Sequence, residues 1–233
     1  MINIFKLLKD IISPKKCYSC NIEWFFLCKK CALKLRNFWE KCFVCKRKSL
    51  NYLIHKVCLT NIYYDKVLIL THYNNKIIKK LIRNWKYSNK KDIFEDFWDY
   101  LWELLLNNID INDSSEYILI SSPMYFYKKM LRGYNQADIL AKKVSLKTWL
   151  KYEKNLIKKI KNTVSQATLS KKGRENNLKW LFKVNKRQIK NIKWKKIVII
   201  DDIITTWSTL NEISKELKIN WAIEVIWLVI ASD

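Results

Sequence analysis

The period of the apolar positions changes along this chain, and the changes mark out its elements. Three short runs are almost wholly apolar: YILIS at 117–121, IVIID at 197–201 and IEVIWLVI at 223–230. Runs of that length, rich in β-branched residues, predict strands buried on both faces. Between and after them the spacing becomes helical, which predicts helices over 135–147 and 208–218. Strands alternating with helices predict an α/β fold with a parallel sheet. Upstream, DIFEDFWDYLWELLL (92–106) repeats Ile93, Phe94, Phe97, Leu101, Leu104 and Leu105 on one helical face, with Asp92 placed to cap it. Trp98 and Trp102 share that face as i, i+4 neighbours. The segment NKIIKKLIRNWKYSNKKD (75–92) reads as a basic helix and a turn. Both segments read as scaffold, Lys86 and Tyr87 included. The predicted organisation is a small head over 1–60 and a larger unit over 61–233. The larger unit divides into a helical bridge, 61–116, and an α/β core, 117–233.

Ligands of parallel sheets lie at the carboxyl ends of the strands. The second strand runs into IVIIDDIITTWST (197–209), an apolar run, two aspartates, a Thr/Ser-rich turn and a helical pattern. Asp201 and Asp202 are acceptors suited to sugar hydroxyls. Backbone N–H groups and hydroxyls of Thr205, Thr206, Ser208 and Thr209 suit a phosphate at a helix N-terminus. Trp207 stands inside that loop, where glycine would let the backbone close around an anion.

The first 60 residues carry different chemistry. Cys17-x2-Cys20, Cys28-x2-Cys31 and Cys42-x2-Cys45 have metal-knuckle spacing, and His55-x2-Cys58 supplies a fourth pair. Eight N/S ligands suffice for two tetrahedral Zn²⁺ ions in a structural role. Sequential pairing puts Cys17, Cys20, Cys28 and Cys31 on one ion and Cys42, Cys45, His55 and Cys58 on the other; pairing of the first knuckle with the third stays open. No apolar stretch approaches the roughly 18 residues of a membrane helix. MINIFKLLKDII reads as an amphipathic helix rather than a signal peptide, so a cytoplasmic location is expected.

Charge sharpens the picture. The formal net charge is +24, and residues 121–200 hold 22 Lys and Arg against three acids, Asp138, Glu153 and Glu175. A basic segment of that kind calls for a polyanionic partner, nucleic acid or pyrophosphate. Tyr125, Phe126, Tyr127 and Tyr134 are interleaved with it and offer stacking surfaces.

Two glycines, Gly133 and Gly173, stand against 11 tryptophans; ordinary usage of about 7% glycine gives roughly 16. Several tryptophans occupy turn or cap positions that favour glycine. One hypothesis covers both anomalies: UGA codons read as glycine in the source organism were translated as tryptophan. Trp207, Trp194, Trp221 and Trp180 are the strongest candidates, Trp149 and Trp24 the next.

These parts together resemble the ComF/GntX-like competence family, from about Pro14 to the C-terminus. RGYNQ (132–136) is similar to the family's RGFNQ. Gln166, Arg174, Asn176, Asn177 and Phe182 are similar to its Q…R..N…F run, with Trp180 at a glycine position. DDIITTWST is similar to DDVxTTGxT, with Trp207 at the glycine. Ser122-Pro123-Met124 resembles a PVP-type loop less closely, and His55 departs from the usual cysteine. The resemblance implies a type I phosphoribosyltransferase-like parallel sheet with flanking helices, preceded by a double zinc ribbon. It implies that phosphoribosyl pyrophosphate (PRPP) or a related phosphate ligand meets Asp201, Asp202 and residues 205–209. Arg132 and Arg174 would contact phosphate and Gln136 a base or the backbone, with Lys128, Lys129, Lys171 and Lys172 lining the approach. It further implies DNA uptake, with single-stranded DNA and a competence helicase as partners. Two other readings stand beside it: an active phosphoribosyltransferase using Mg²⁺ with PRPP, and a non-catalytic zinc-ribbon adaptor.

Overall fold

The computed structural model describes residues 14–36, 40–87, 93, 98–160, 181–204 and 207–232. In chain order its helices and strands are α1 (Lys29–Leu35), β1 (Lys66–His72), α2 (Lys76–Tyr87), α3 (Trp98–Leu106), β2 (Tyr117–Ser121), α4 (Phe126–Arg132), α5 (Gln136–Thr148), β3 (Lys151–Tyr152), β4 (Ile157–Lys159), β5 (Phe182–Val184), α6 (Ile189–Ile192), β6 (Lys196–Ile204), α7 (Trp207–Ile219) and β7 (Glu224–Ser232). Five strands form one sheet in the order β1-β7-β6-β2-β3, and every pairing in it is parallel. β4 and β5 make a separate antiparallel pair.

The apolar runs form strands because both sheet faces are covered. Ile197 and Ile199 of β6 join Val225, Trp227 and Val229 of β7 in a core beneath α7, reached by Leu210, Ile213 and Leu217. Val198 and Ile200 join Ile226, Leu228 and Ile230 on the opposite face. There α2 contributes Ile78, Leu81, Ile82 and Trp85, whose spacing makes one helical stripe. Leu101, Leu104 and Leu105 of α3 and Leu140, Ala141 and Val144 of α5 complete that layer. Asn75 starts α2 by accepting from Ile77 N at 2.9 Å, and Asn135 starts α5 by accepting from Ala137 N at 3.2 Å.

The three predicted strands and the helices over 135–147 and 208–218 appear within a few residues of their expected bounds. β1 lies inside the segment read as a helical bridge. Its run KVLILTH is too short for periodicity to separate strand from helix, and pairing with β7 decides the matter. β6 continues three residues beyond Asp201, to Ile204. The predicted N-terminal helix, Asp92, Phe94, Phe97 and the Trp98 side chain lie outside the described residues.

The cysteine-rich segment rests on the sheet's helical layer. Phe26, Leu27 and Ala32 share a core with α2 and α3. Asn84 Nδ2 donates to Tyr18 Oη at 2.8 Å, and Arg36 pairs with Glu103 at 3.0 Å.

Candidate anion, nucleotide and metal sites

At the carboxyl end of the sheet, β6 carries Asp201 and Asp202 toward the N-terminus of α7. Both side chains are partly buried. Asp202 N donates to Asp201 Oδ1 and Ile203 N to Asp202 Oδ1, each at 2.8 Å, so two backbone donors preset the carboxylate rotamers. Burial, then the charge of Asp202, pushes the Asp201 carboxyl up to about 7; Ser122, the Asp202 N–H and Lys86 pull the other way. Ser208 and Thr209 lie in the first turn of α7, partly buried, and Trp207 opens that helix with its indole 57% exposed. Thr205 and Thr206 lie outside the described residues, as do Gln166, Lys171, Lys172, Arg174, Asn176, Asn177 and Trp180. Phe182 begins β5 and is buried.

Lys86, read as scaffold from the sequence, reaches this junction: its Nζ lies 2.6 Å from Asp202 Oδ2. Lys86 also lines a cavity of about 540 Å³ with Tyr87, Lys128, Leu131, Arg132 and Tyr134. The Arg132 guanidinium sits 5.6 Å from the Tyr87 ring centroid and donates to Gln136 Oε1 at 3.4 Å. Gln136 is 1% exposed, and its Nε2 has no hydrogen-bond partner among the described residues. Tyr134 Oη donates to Trp85 O at 2.8 Å, which anchors that ring. No signal short of the sheet order joins α2 to the aspartates, so the sequence could not rank Lys86 above its neighbouring lysines.

The two described acids of the basic segment, Asp138 and Glu153, are consumed internally. Asp138 accepts from Ser121 Oγ at 2.5 Å, from Tyr152 Oη and Asn135 Nδ2 at 3.2 Å, and pairs with Lys129 at 3.5 Å. Glu153 pairs with Lys151 at 2.6 Å and accepts from Gln188 and Asn191. Asn135 caps α5 and donates to Ser122 O at 3.0 Å, so its side chain is engaged in structure. A second cavity of about 230 Å³ borders Ser121, Met124, Lys129, Asp138 and Lys159. Burial, then the like charge of Lys128, draws the Lys159 ammonium below its usual range. In that lining Lys129, Lys158 and Lys159 outnumber Asp138.

The cysteines converge as two groups, Cys17/Cys20/Cys28/Cys31 and Cys42/Cys45/His55/Cys58, with ligand atoms in each group within 4.8 Å of one another. Tetrahedral Zn–S bonds of about 2.3 Å put sulfurs about 3.8 Å apart; Cys20 Sγ and Cys28 Sγ are 3.6 Å apart. His55 Nδ1 lies 3.2 Å from Cys45 Sγ, while Nε2 is 3.1 Å from Lys48 O. A carbonyl can only accept, so Nε2 carries the proton and Nδ1 is the nitrogen left to ligate a metal. Both groups could hold zinc. Burial pushes the Cys17 thiol up, but N–H donors of Cys28, Cys20 and Ser19 outweigh it and hold the thiol at about 7. Burial and the neighbouring thiols drive Cys28 up to about 12.

The first and third knuckles, Cys17-x2-Cys20 and Cys42-x2-Cys45, repeat one backbone design, 25 residues apart. Asn21 N donates to Cys17 O as Lys46 N does to Cys42 O, and Cys17 N donates to Ile22 O as Cys42 N does to Arg47 O, all at 2.9 Å. Asn21 and Lys46 each hold φ 61°.

Four tryptophans also occupy the left-handed region: Trp24 at φ 77°, Trp149 at 60°, Trp194 at 63° and Trp221 at 72°. Trp149 comes directly after α5 as Gly133, φ 74°, comes after α4. Trp221 N donates to Lys218 O and Ala222 N to Leu217 O, both at 3.1 Å, the paired bonds of a Schellman motif whose left-handed residue is usually glycine. All four side chains are at least 55% exposed, whereas Trp85 and Trp227 are fully buried. Trp207 is not among the left-handed residues.

No family model matches the chain. "Competence protein F" of Haemophilus influenzae is 30% identical over 215 residues, spanning 87% of this chain and 83% of that protein. "DNA utilization protein YhgH" of Escherichia coli K12 is 30% identical over 110 residues, and that of strain O157:H7 32%; each alignment spans 47% of both chains. The near-full-length likeness to a competence protein, on an α/β fold preceded by cysteine clusters, means that the chain belongs to the ComF-like competence family.

Proposed function

We propose that this protein serves DNA uptake by binding a PRPP-type ligand at the β6–α7 junction and single-stranded DNA on the adjoining basic surface. The observation that carries the reading is the aspartate pair at the carboxyl end of a parallel strand, with a helix N-terminus ahead of it and Lys86 beside it. Asp201 and Asp202 accept the ribose hydroxyls. Amides and hydroxyls of residues 205–209 take the 5′-phosphate, Arg174 the pyrophosphate and Arg132 a DNA phosphate. Net charge supports the nucleic-acid partner, because Asp138 and Glu153 are already spent on internal pairs. Lys128, Arg132 and their neighbours therefore carry a net positive field. Zinc in the two cysteine groups holds the head on the helical layer.

Two measurements test this. Anisotropy of a labelled dT20 oligomer should show binding whose affinity falls steeply as salt rises. Calorimetry with PRPP should show binding that Asp202→Ala abolishes. Absence of both at low salt overturns the reading. Pyrophosphate release from PRPP across a panel of nucleobases separates a transferase from a binding protein.

The glycine hypothesis belongs to the same proposal, because it touches the phosphate loop. Trp24, Trp149, Trp194 and Trp221 adopt the conformation of Gly133 with bulky side chains turned to solvent. An indole in that region costs about 1–2 kcal/mol, and exposure returns little. Those facts favour UGA-encoded glycine at the four positions. At Trp207 the support is the family pattern alone, since its backbone suits any residue. The codons, or an intact mass below 28.2 kDa for protein from the native host, decide it.

A further inference from the structure

The cavity of about 540 Å³ between the end of α2 and α4 is large enough for a nucleotide, and its lining specifies what kind of ligand fits. Lys86, Lys128 and Arg132 supply three cations, Tyr87 and Tyr134 two aromatic faces, and Leu131 an apolar wall. Among the described residues, the lining contains no carboxylate and no side-chain amide. Cations with aromatic faces and no edge-reading amide suit an anionic, planar ligand taken without regard to base identity.

The two rings are held differently. Tyr134 is anchored through its hydroxyl to Trp85 O. Tyr87 is 74% exposed at the last residue of α2, with the Arg132 guanidinium 5.6 Å from its centroid. Arg132 is in turn steadied by the buried Gln136. An exposed ring backed by a guanidinium is a stacking platform with a phosphate contact attached.

We infer that this cavity binds one nucleotide of a single-stranded nucleic acid, its base stacked on Tyr87 against Tyr134 and its phosphates on Lys128 and Arg132. The inference deepens the proposed function and rests on its single-strand reading. It adds that the strand enters beside α2. The Lys86–Asp202 pair then forms the floor between the strand site and the sugar-phosphate site.

The test uses the full chain and four labelled probes: dT20, dA20, rU20 and an abasic deoxyribose 20-mer. Tyr87→Ala should weaken dT20 binding about tenfold, dA20 to a similar extent, and leave the abasic strand unchanged. Tyr87→Phe should retain wild-type affinity. Lys128→Gln should lower the slope of log affinity against log salt by about 0.7, while Tyr87→Ala leaves the slope alone. Equal loss on rU20 and dT20 fits the inference, because no group in the described lining reads the 2′-hydroxyl. Tyr87 is exposed, so Tyr87→Ala should keep the wild-type melting temperature. Undiminished dT20 binding by Tyr87→Ala, or equal loss on the abasic strand, overturns the stacking site while leaving the proposed function standing. Failure of the wild-type chain to bind dT20 at low salt overturns both.

Discussion

Lys86 Nζ lies 2.6 Å from Asp202 Oδ2, joining the last turn of α2 to the carboxyl end of β6. Both groups are largely buried, so the pair is not a screened surface contact. Its effect falls on Asp201 next door. Lys86 holds that carboxyl down, and Asp202 pushes it up.

Opposite shifts are therefore expected from the two partners. Lys86→Gln should raise the Asp201 titration midpoint above about 7. Asp202→Asn should lower it, because the repelling carboxylate is gone. Side-chain carboxyl NMR over pH 4 to 9 tracks both. Shifts of the same sign would refute this electrostatic account.

Asp201 also links stability to pH. Its folded value lies above that of an unfolded aspartate, about 3.9. Between about 4 and 7 the native state binds the extra proton, so this group's contribution is full below about 4 and is lost as pH rises to about 7. Asp201→Asn removes the titration. Its melting temperature should match wild type near pH 4 and exceed it by about 8–16 °C at pH 8, while PRPP binding is lost. A gap that narrows with rising pH contradicts the assignment.

Two zinc ions per chain are expected by elemental analysis. Cys17→Ser and Cys42→Ser should each leave one, and the double variant none, because the two groups are separate. If the first knuckle paired with the third, both substitutions would strike one site and the double variant would keep an ion. Each single loss should lower the melting temperature, since bound metal stabilises the fold.

Tryptophans of the two classes should respond in opposite directions to replacement by glycine. Trp149→Gly, at 87% exposure and φ 60°, should gain about 1 kcal/mol. Trp24→Gly should do likewise. Trp194 and Trp221 gain less singly, because their rings lie 5.3 Å apart and Lys193 sits over both. Trp85→Gly and Trp227→Gly, fully buried, should lose at least about 3–5 kcal/mol. Urea denaturation measures all six. A loss at Trp149 comparable with that at Trp85 would end the glycine hypothesis.

Much of the fold was legible because its cause is local. A wholly apolar run such as 197–200 can only be a strand or a buried helix, and the turns flanking it made it a strand. Knuckle spacing likewise marks candidate metal ligands, and a left-handed cap is betrayed by its place just past the end of a helical pattern, as at Trp221. β1 was not legible, because seven residues carry too little periodicity and its identity depends on β7 beside it. Lys86 and Tyr87 were not legible as site residues, because every lysine on α2 looks alike until the sheet order brings one to Asp202.

By itself the amino-acid order determined the knuckles, the strands and helices other than β1 that its periodicity marks, and which end of β6 carries the carboxylates. Those outcomes depend on side-chain period and on spacings of a few residues. Tertiary structure alone decided the partner of Asp202, the raised carboxyl of Asp201, the grouping of eight ligands into two sets and the aromatic cavity beside α2. Each of these joins groups far apart along the chain, and only the burial and parallel stacking of the sheet bring them within bonding distance.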